Sequence, residues 1–311
     1  MLQIFHYQNG ELLETEQIND HCWINLTIPT HHELIRTHEE LDIPLELLTA
    51  ALDPEERPRF ETDEDVMLLI IRIPIINDDD SGIPYITRPL GILIQNDIII
   101  TVCTRENTII NDFIYEKIKN FTLISKVRFI LQIFYRTVLK YLRSLKDIDN
   151  QTNDIEKELT EALKNQELIR LLNYEKSLVF FTTSLKSNQI VMERFKRTTF
   201  FRNAIADDRE LLDDIIIDNA QAIEMAHIYT NILSGLMDTF ASVISNNLNN
   251  VMRTLTKITI VLMLPTLITS FYGMNVNLPI QENPYAFAVI TIVCILASVI
   301  AMTILTVKRR F

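Results

Sequence analysis

From Tyr285 to Val307 the chain runs for about 23 residues without a charged side chain. As a helix such a run rises roughly 34 Å, enough to cross a bilayer core of about 30 Å. A second uncharged run, Ile258 to Tyr272, precedes it. At about 15 residues it is short for a span, so it crosses only if its helix continues past Lys257, whose long side chain can reach back to water. Thr259, Thr266, Thr269, Ser270 and Pro265 suit a helix packed against others or facing water better than one bathed in lipid. The linker from Gly273 to Pro284 is short, so the two runs form a helical hairpin. Arg253 and Lys257 precede the first run, Lys308-Arg309-Arg310 follow the second, and the linker holds no base. The positive-inside rule then predicts both termini in the cytoplasm and the linker outside, in a multi-pass protein of the inner (plasma) membrane.

Everything before the hairpin is polar enough to be soluble. The 311 residues carry a formal charge of −12, but residues 1–250 hold 40 acids against 24 bases, a net of −16. That balance argues against nucleic acid and for cations as partners. Cys22, Cys103 and Cys294 are far apart and form no CxxC pair, which suggests neither a disulfide framework nor a thiolate zinc site and fits a reducing compartment. The N-terminal Met1-Leu2-Gln3-Ile4-Phe5-His6 lacks the basic and apolar regions of a signal peptide, so the large N-terminal part is expected in the cytoplasm.

Apolar or β-branched runs at Cys22–Ile28, Val66–Ile76, Leu90–Gln95 and Asp97–Cys103 predict strands, the last two joined by an Asn96-Asp97 turn. Thr30 can cap a helix over His31–Leu41, and Pro44 can open another toward Leu52 that stops at Asp53-Pro54. From about Ile109 onward Gly and Pro nearly vanish and apolar residues recur at three and four, as in Phe129, Ile133, Phe134, Val138, Tyr141 and Leu142. A break near Phe200–Ala206 is followed by Asp207-Asp208, good capping material, and no proline appears until Pro265. The expectation is an α+β cytoplasmic domain over 1–205 and a stalk over 206–252. A first transmembrane helix over 253–274, an outer loop over 275–284, a second span over 285–307 and a basic tail over 308–311 complete it. The stalk and first span read as one helix of roughly 97 Å, too long for a compact domain, which suits a coiled-coil-like or oligomeric stalk.

Along that helix Asp238, Ser245, Asn249, Met252, Thr256, Met263 and Thr266 are spaced 7, 4, 3, 4, 7 and 3, which keeps them on one face. Such a line is either an exposed surface or the wall of a water-filled channel made by several copies. Because it continues into a membrane span, where a solvated outer face is impossible, the pore reading is favoured. Two spans per chain cannot enclose a pore, so a symmetric ring of subunits is required.

With Gly273-Met274-Asn275 after Tyr272, between two C-terminal spans and followed by a short basic tail, the chain resembles the CorA-type magnesium transporters. Asn249-Asn250-Val251-Met252 and Met263-Leu264-Pro265 strengthen the likeness, and Trp23-Ile24-Asn25 and Arg57-Pro58 extend it upstream. The resemblance implies a funnel-shaped homopentamer carrying hydrated Mg²⁺, with Co²⁺ or Ni²⁺ as further cargo, into the cytoplasm down the membrane potential. It places Gly273, Met274 and Asn275 at the selectivity entrance, with Thr266, Met263, Leu255, Met252, Asn249 and Asp238 lower in the pore. Asn275 carbonyls can accept hydrogen bonds from the ion's water without stripping it, and Gly273 would let the chain turn as the helix ends. Met263, Leu255 and Met252 would close by dewetting, while Asn249 and Asp238 offer oxygen rings. Glu282, the only acid of the outer loop, could concentrate cations or simply be solvated.

The resemblance further implies a regulatory Mg²⁺ between adjacent subunits, and Asp213, Asp214 and Asp218 occupy the matching stretch. The partner acid is not clear: Leu48, Thr49 and Ala50 stand where it is expected, with Glu46 and Asp53 nearby. The same acids could equally serve the helix N-terminus electrostatically. His31, His32 and His38 with Glu33 and Glu39 look like a zinc cluster but lack a defined third ligand; a zinc-transporting branch of the same fold is therefore the alternative. A membrane-tethered sensor or scaffold is the alternative of another class. No Gly-rich phosphate loop, HExxH or nucleophile–base set is present, so neither an enzyme nor an organic cofactor is expected.

Overall fold

The computed structural model describes residues 1–8, 11–19, 21–63, 65–115, 123, 125–161, 165–276, 278–280 and 283–307. These fall into two units, Met1–Met237 and Asp238–Phe311. The first is built on a seven-stranded sheet: β1 (Leu2–Gln8), β2 (Glu11–Thr15), β3 (Cys22–Thr27), β4 (Arg59–Asp63), β5 (Val66–Ile76), β6 (Tyr85–Gln95) and β7 (Ile98–Cys103). In space the order is β2-β1-β3-β7-β6-β5-β4, and only the β3–β7 pairing is parallel. Its helices are α1 (His31–Leu41), α2 (Leu45–Ala50), α3 (Thr108–Ile114), α4 (Lys126–Glu161), α5 (Asn165–Lys196) and α6 (Thr199–Arg202), with the first part of α7 (Ala206–Tyr272).

The sheet is covered on both faces, so its middle strands read as continuous runs of Ile, Leu and Val rather than as alternations. Successive side chains of β5 divide between two cores. Val66, Leu68 and Ile70 face the side closed by α1 and α2 with Leu34, Leu47 and Leu48. Met67, Leu69, Ile71 and Ile73 face the side closed by the longer helices with Phe113, Phe129, Phe134 and Phe195. Trp23 sits in the second core at 0% exposure. Its ring stacks on Phe5 at 5.0 Å and meets Phe129 edge-on at 5.4 Å, while Nε1 donates to Thr101 Oγ1 at 2.9 Å.

Gly91 marks a close approach of sheet and helix layer, because a Cβ added there would lie 2.8 Å from the Ala51 Cβ. Gly91→Ala should therefore cost about 1–3 kcal/mol through overpacking, read as a lowered thermal unfolding midpoint. An unchanged midpoint would show that the end of α2 yields freely.

The predicted strands and the two helices opened by Thr30 and Pro44 are present, and Thr30 and Glu33 form a reciprocal capping box at α1. Strands β1, β2 and β4 were not anticipated. Edge strand β4, Arg-Phe-Glu-Thr-Asp, is half-buried to exposed and has no apolar face to announce it. Beyond its end the β5 backbone still needs partners. Asn188 of α5 supplies them, accepting from the Arg72 amide and donating to the Arg72 carbonyl, both at 2.8 Å. All three cysteines are free and buried.

The second unit holds the remainder of α7 and α8 (Ala286–Val307). Both helices are long and apolar enough to cross a membrane. On α8, Ile292 and Leu296 are 57% and 54% exposed, which water would not tolerate along a whole helix but lipid would.

Candidate functional site

Burial within the second unit identifies which sides of its helices meet. On α7, Lys257, Val261, Leu264, Pro265 and Ile268 are half-buried, a spacing that defines one face. On α8, Ala286, Ile290, Cys294, Ala297, Ser298, Ala301 and Leu305 are the shielded positions, again one face. The two faces enclose a cavity of about 370 Å³ lined by Pro265, Thr269, Gly273, Ile290 and Cys294. At roughly 100° per residue, Asp238, Ser245, Asn249, Met252, Thr256, Met263 and Thr266 fall on the side of α7 turned away from α8. All seven are exposed, as is Leu255 at the edge of the stripe. Met252, Leu255 and Met263 leave 52%, 55% and 64% of their surface uncovered in the single chain. In a bilayer, a helix face that carries polar oxygens is favoured against a partner or water rather than lipid.

The threonine hydroxyls are not left wanting. Thr256 donates to the Met252 carbonyl at 2.8 Å and Thr266 to the Leu262 carbonyl at 3.0 Å, so each hydroxyl proton is used and its oxygen lone pairs stay available. Pro265 removes one backbone donor inside the helix, yet α7 continues past it to Tyr272.

At the end of α7 the Gly273 amide still bonds the Thr269 carbonyl at 2.9 Å and the Met274 amide the Phe271 carbonyl at 3.2 Å. Gly273 does not take the positive φ expected of a turning glycine; among the described glycines only Gly82 does. A Cβ at Gly273 would lie 3.4 Å from the Thr269 carbonyl oxygen, an ordinary van der Waals contact. Met274 and Asn275 follow, both exposed. Two further groups, of which the sequence singled out only the first, hold the ends of the linker. The Tyr272 hydroxyl donates to the Pro279 carbonyl at 3.4 Å, and Asn283 Oδ1 accepts from the Tyr285 amide at 2.9 Å just before α8. Tyr272 was legible as part of the motif; Asn283 carried only the generic signal of an Asx turn. Glu282 and Lys308-Arg309-Arg310 lie outside the described residues.

A family model for CorA-like Mg²⁺ transporter proteins matches residues 19–309, taking in both hairpin helices and most of the sheet domain. The chain belongs to that family. The cobalt/magnesium transport protein CorA of Methanocaldococcus jannaschii is 29% identical over 293 residues, 93% of this chain and 90% of that protein. The magnesium transport protein CorA of Helicobacter pylori is 24% identical over 311 residues, 95% of this chain and 92% of that one. The complete structure of the M. jannaschii CorA magnesium transporter aligns with a TM-score of 0.82 at 26% identity, covering 98% of this chain and 96% of the other. The ZntB cytoplasmic domain of Vibrio parahaemolyticus aligns at 0.59 and 16% identity over 80% and 98% of the two chains, a likeness of fold alone.

The acids that the CorA resemblance marked for regulation lie far along α7 from the stripe, in the first unit. Asp213 and Asp214 are exposed, Asp218 is half-buried, and Asp213 is ion-paired with Lys196. Among the described residues no group of three or more His, Cys, Asp or Glu side chains is gathered to hold a metal within one chain. Leu48 is buried in the core, and the Thr49 hydroxyl donates to the Leu45 carbonyl at 2.9 Å. Glu46 and Asp53 are both exposed.

Nor are His31, His32 and His38 gathered with Glu33 and Glu39 into such a group. His38 Nδ1 is engaged with the Ile43 carbonyl at 2.7 Å, and Glu33 is committed to the Thr30 and Leu2 amides at 2.7 and 2.9 Å. Burial alone would raise the Glu33 carboxyl; the hydrogen bonds it accepts outweigh that and hold it below its ordinary value.

Proposed function

We propose that this CorA-family chain conducts hydrated Mg²⁺ into the cytoplasm through a homopentameric channel whose wall is the polar face of α7. The observation that carries the reading is that face: seven spaced residues, all exposed, on the side of a membrane-length helix opposite its hairpin partner. Five copies turned inward would give the face the water it requires and bury the flanks of the helix between neighbours. The two relatives named above are a cobalt/magnesium and a magnesium transport protein, which agrees with a hydrated divalent cargo.

Each position then has a chemical role. Mg²⁺ dehydrates reluctantly, so an Asn275 ring would accept hydrogen bonds from its water shell instead of replacing it. Met263, Leu255 and Met252 would form constrictions that close by losing water, and Thr266, Thr256, Ser245, Asn249 and Asp238 would supply oxygens between and below them. A negative-inside potential contributes roughly 4.6 kcal/mol per 100 mV for a divalent ion, so no nucleotide is needed. The basic flanks of the hairpin favour an entrance outside and a sheet domain in the cytoplasm, in the inner membrane. There Asp213, Asp214 and Asp218 would bind regulatory Mg²⁺ against a neighbouring subunit and favour the closed ring.

Purified protein in liposomes tests the reading. With an inside-negative potassium diffusion potential, Mg²⁺ influx should rise well above that of empty vesicles, and Mg²⁺ should be favoured over Zn²⁺. No Mg²⁺ flux from an intact oligomer would overturn the proposal.

A further inference from the structure

Away from the membrane helices, the sheet domain contains a cavity of about 600 Å³ where α5 crosses β5, β6 and the loop before β4. That is within the size range of small-molecule sites. Its lining is unlike the rest of a unit whose acids far outnumber its bases: Arg57, Arg72 and Arg88 all contribute, against a single acid, Glu55. None of the three guanidinium groups has a carboxylate within ion-pair distance among the described residues. Arg72 and Arg88 instead converge on one neutral acceptor, the Thr87 carbonyl, at 2.9 and 3.3 Å.

Two cations drawn to the same carbonyl oxygen repel each other, and no carboxylate among the described residues pairs with either. Arg72 is anchored by further bonds to the Thr87 hydroxyl and to the carbonyls of Glu56 and Pro54, so it serves as a fixed charge. Arg88 is half-buried and Arg57 exposed, which leaves their planar donor forks for a ligand. Burial, with the nearby Arg105 and Arg72 charges, lowers the Arg88 pKa, and the Glu55 and Asp79 charges offset this only in part. Thr183 and Ser187 of α5 add hydroxyls, and Phe180, 40% exposed, supplies an aromatic wall beside them.

We infer that this cavity binds a soluble phosphate monoester of nucleotide size, its phosphate held by Arg57 and Arg88 and its apolar part resting on Phe180. Guanidinium forks match phosphate oxygens in pairs, and an aromatic face suits a base. This inference is independent of the transport reading.

Calorimetric titration of the full chain in nonionic detergent, free of divalent cations, tests it with inorganic phosphate, AMP and ATP as probes. AMP and ATP are expected to bind more tightly than inorganic phosphate. Arg57→Glu and Arg88→Gln should each weaken AMP binding at least tenfold, whereas Arg143→Ala, a cation outside the cavity, should leave it unchanged. Arg57 is exposed and lies in a loop, so its variant keeps the test valid if Arg88→Gln misfolds. Absence of binding by all three probes at millimolar concentration, or AMP affinity indifferent to Arg57→Glu, overturns the assignment. Binding confined to phosphatidate in mixed micelles overturns it as well, since the headgroup of a lipid would then be the ligand.

Discussion

Asn275→Ala should reduce Mg²⁺ influx in proteoliposomes at least tenfold while leaving the oligomer and its thermal unfolding unchanged. The side chain is exposed just beyond the end of α7, so its loss removes chemistry without creating a cavity. A hydrogen bond contributes about 0.5–1.5 kcal/mol net; five carbonyls lost together from a ring would amount to several kcal/mol. A tenfold change needs only about 1.4 kcal/mol. Val276→Ala, one residue further on, is the matched control and should retain flux. Wild-type flux from a correctly assembled Asn275→Ala oligomer would remove Asn275 from the selectivity entrance.

The second large effect is on stability. Trp23→Ala should destabilise the sheet domain by about 3–5 kcal/mol, the usual cost of emptying a large aromatic site. For a domain of this size that is a fall in unfolding temperature of roughly 6–20 °C. The loss is more than volume, because Thr101 would no longer receive the indole proton and its bond to Asn25 Oδ1 at 3.1 Å would be left without its third member. Trp23→Phe, which keeps most of the ring contacts with Phe5 and Phe129, should fall between. Differential scanning fluorimetry in detergent distinguishes the series; a shift under about 2 °C for Trp23→Ala would mean that the neighbouring aromatics collapse into the site.

Sequence reasoning succeeded where one physical demand dominated. Strand β5 is recognisable because a strand buried on both faces must be apolar nearly throughout, and Val66–Ile76 is, with Arg72 and Pro74 as its exceptions. α1 is recognisable because Thr30 and Glu33 are spaced for a capping box. The polar face of α7 stands out because lipid forbids what water would permit. Where demands were mixed, the pattern faded. β4 is an edge, so its outward residues are polar and its inward ones few. The role of Asn188, completing the hydrogen bonding of β5 from a helix 116 residues later, has no local signature. Gly273 was read as a turning point at the helix end; it follows Tyr272, the last helical residue, without a positive φ. The arginine cavity was invisible for a plainer reason: Arg72 and Arg88 are brought together only by the β5–β6 register, and Arg57 joins them from the loop before β4.

The parallel pairing of β3 with β7 also has a consequence for how the protein is made. Trp23 and Thr101, bonded across it, are 78 residues apart, so the sheet cannot close until Cys103 has left the ribosome. Ile258, where the first uncharged run begins, is synthesised about 155 residues later, which at 5–20 residues per second is a delay of about 8–30 s. The nascent chain therefore has all seven strands of the sheet available before any segment calls for the membrane.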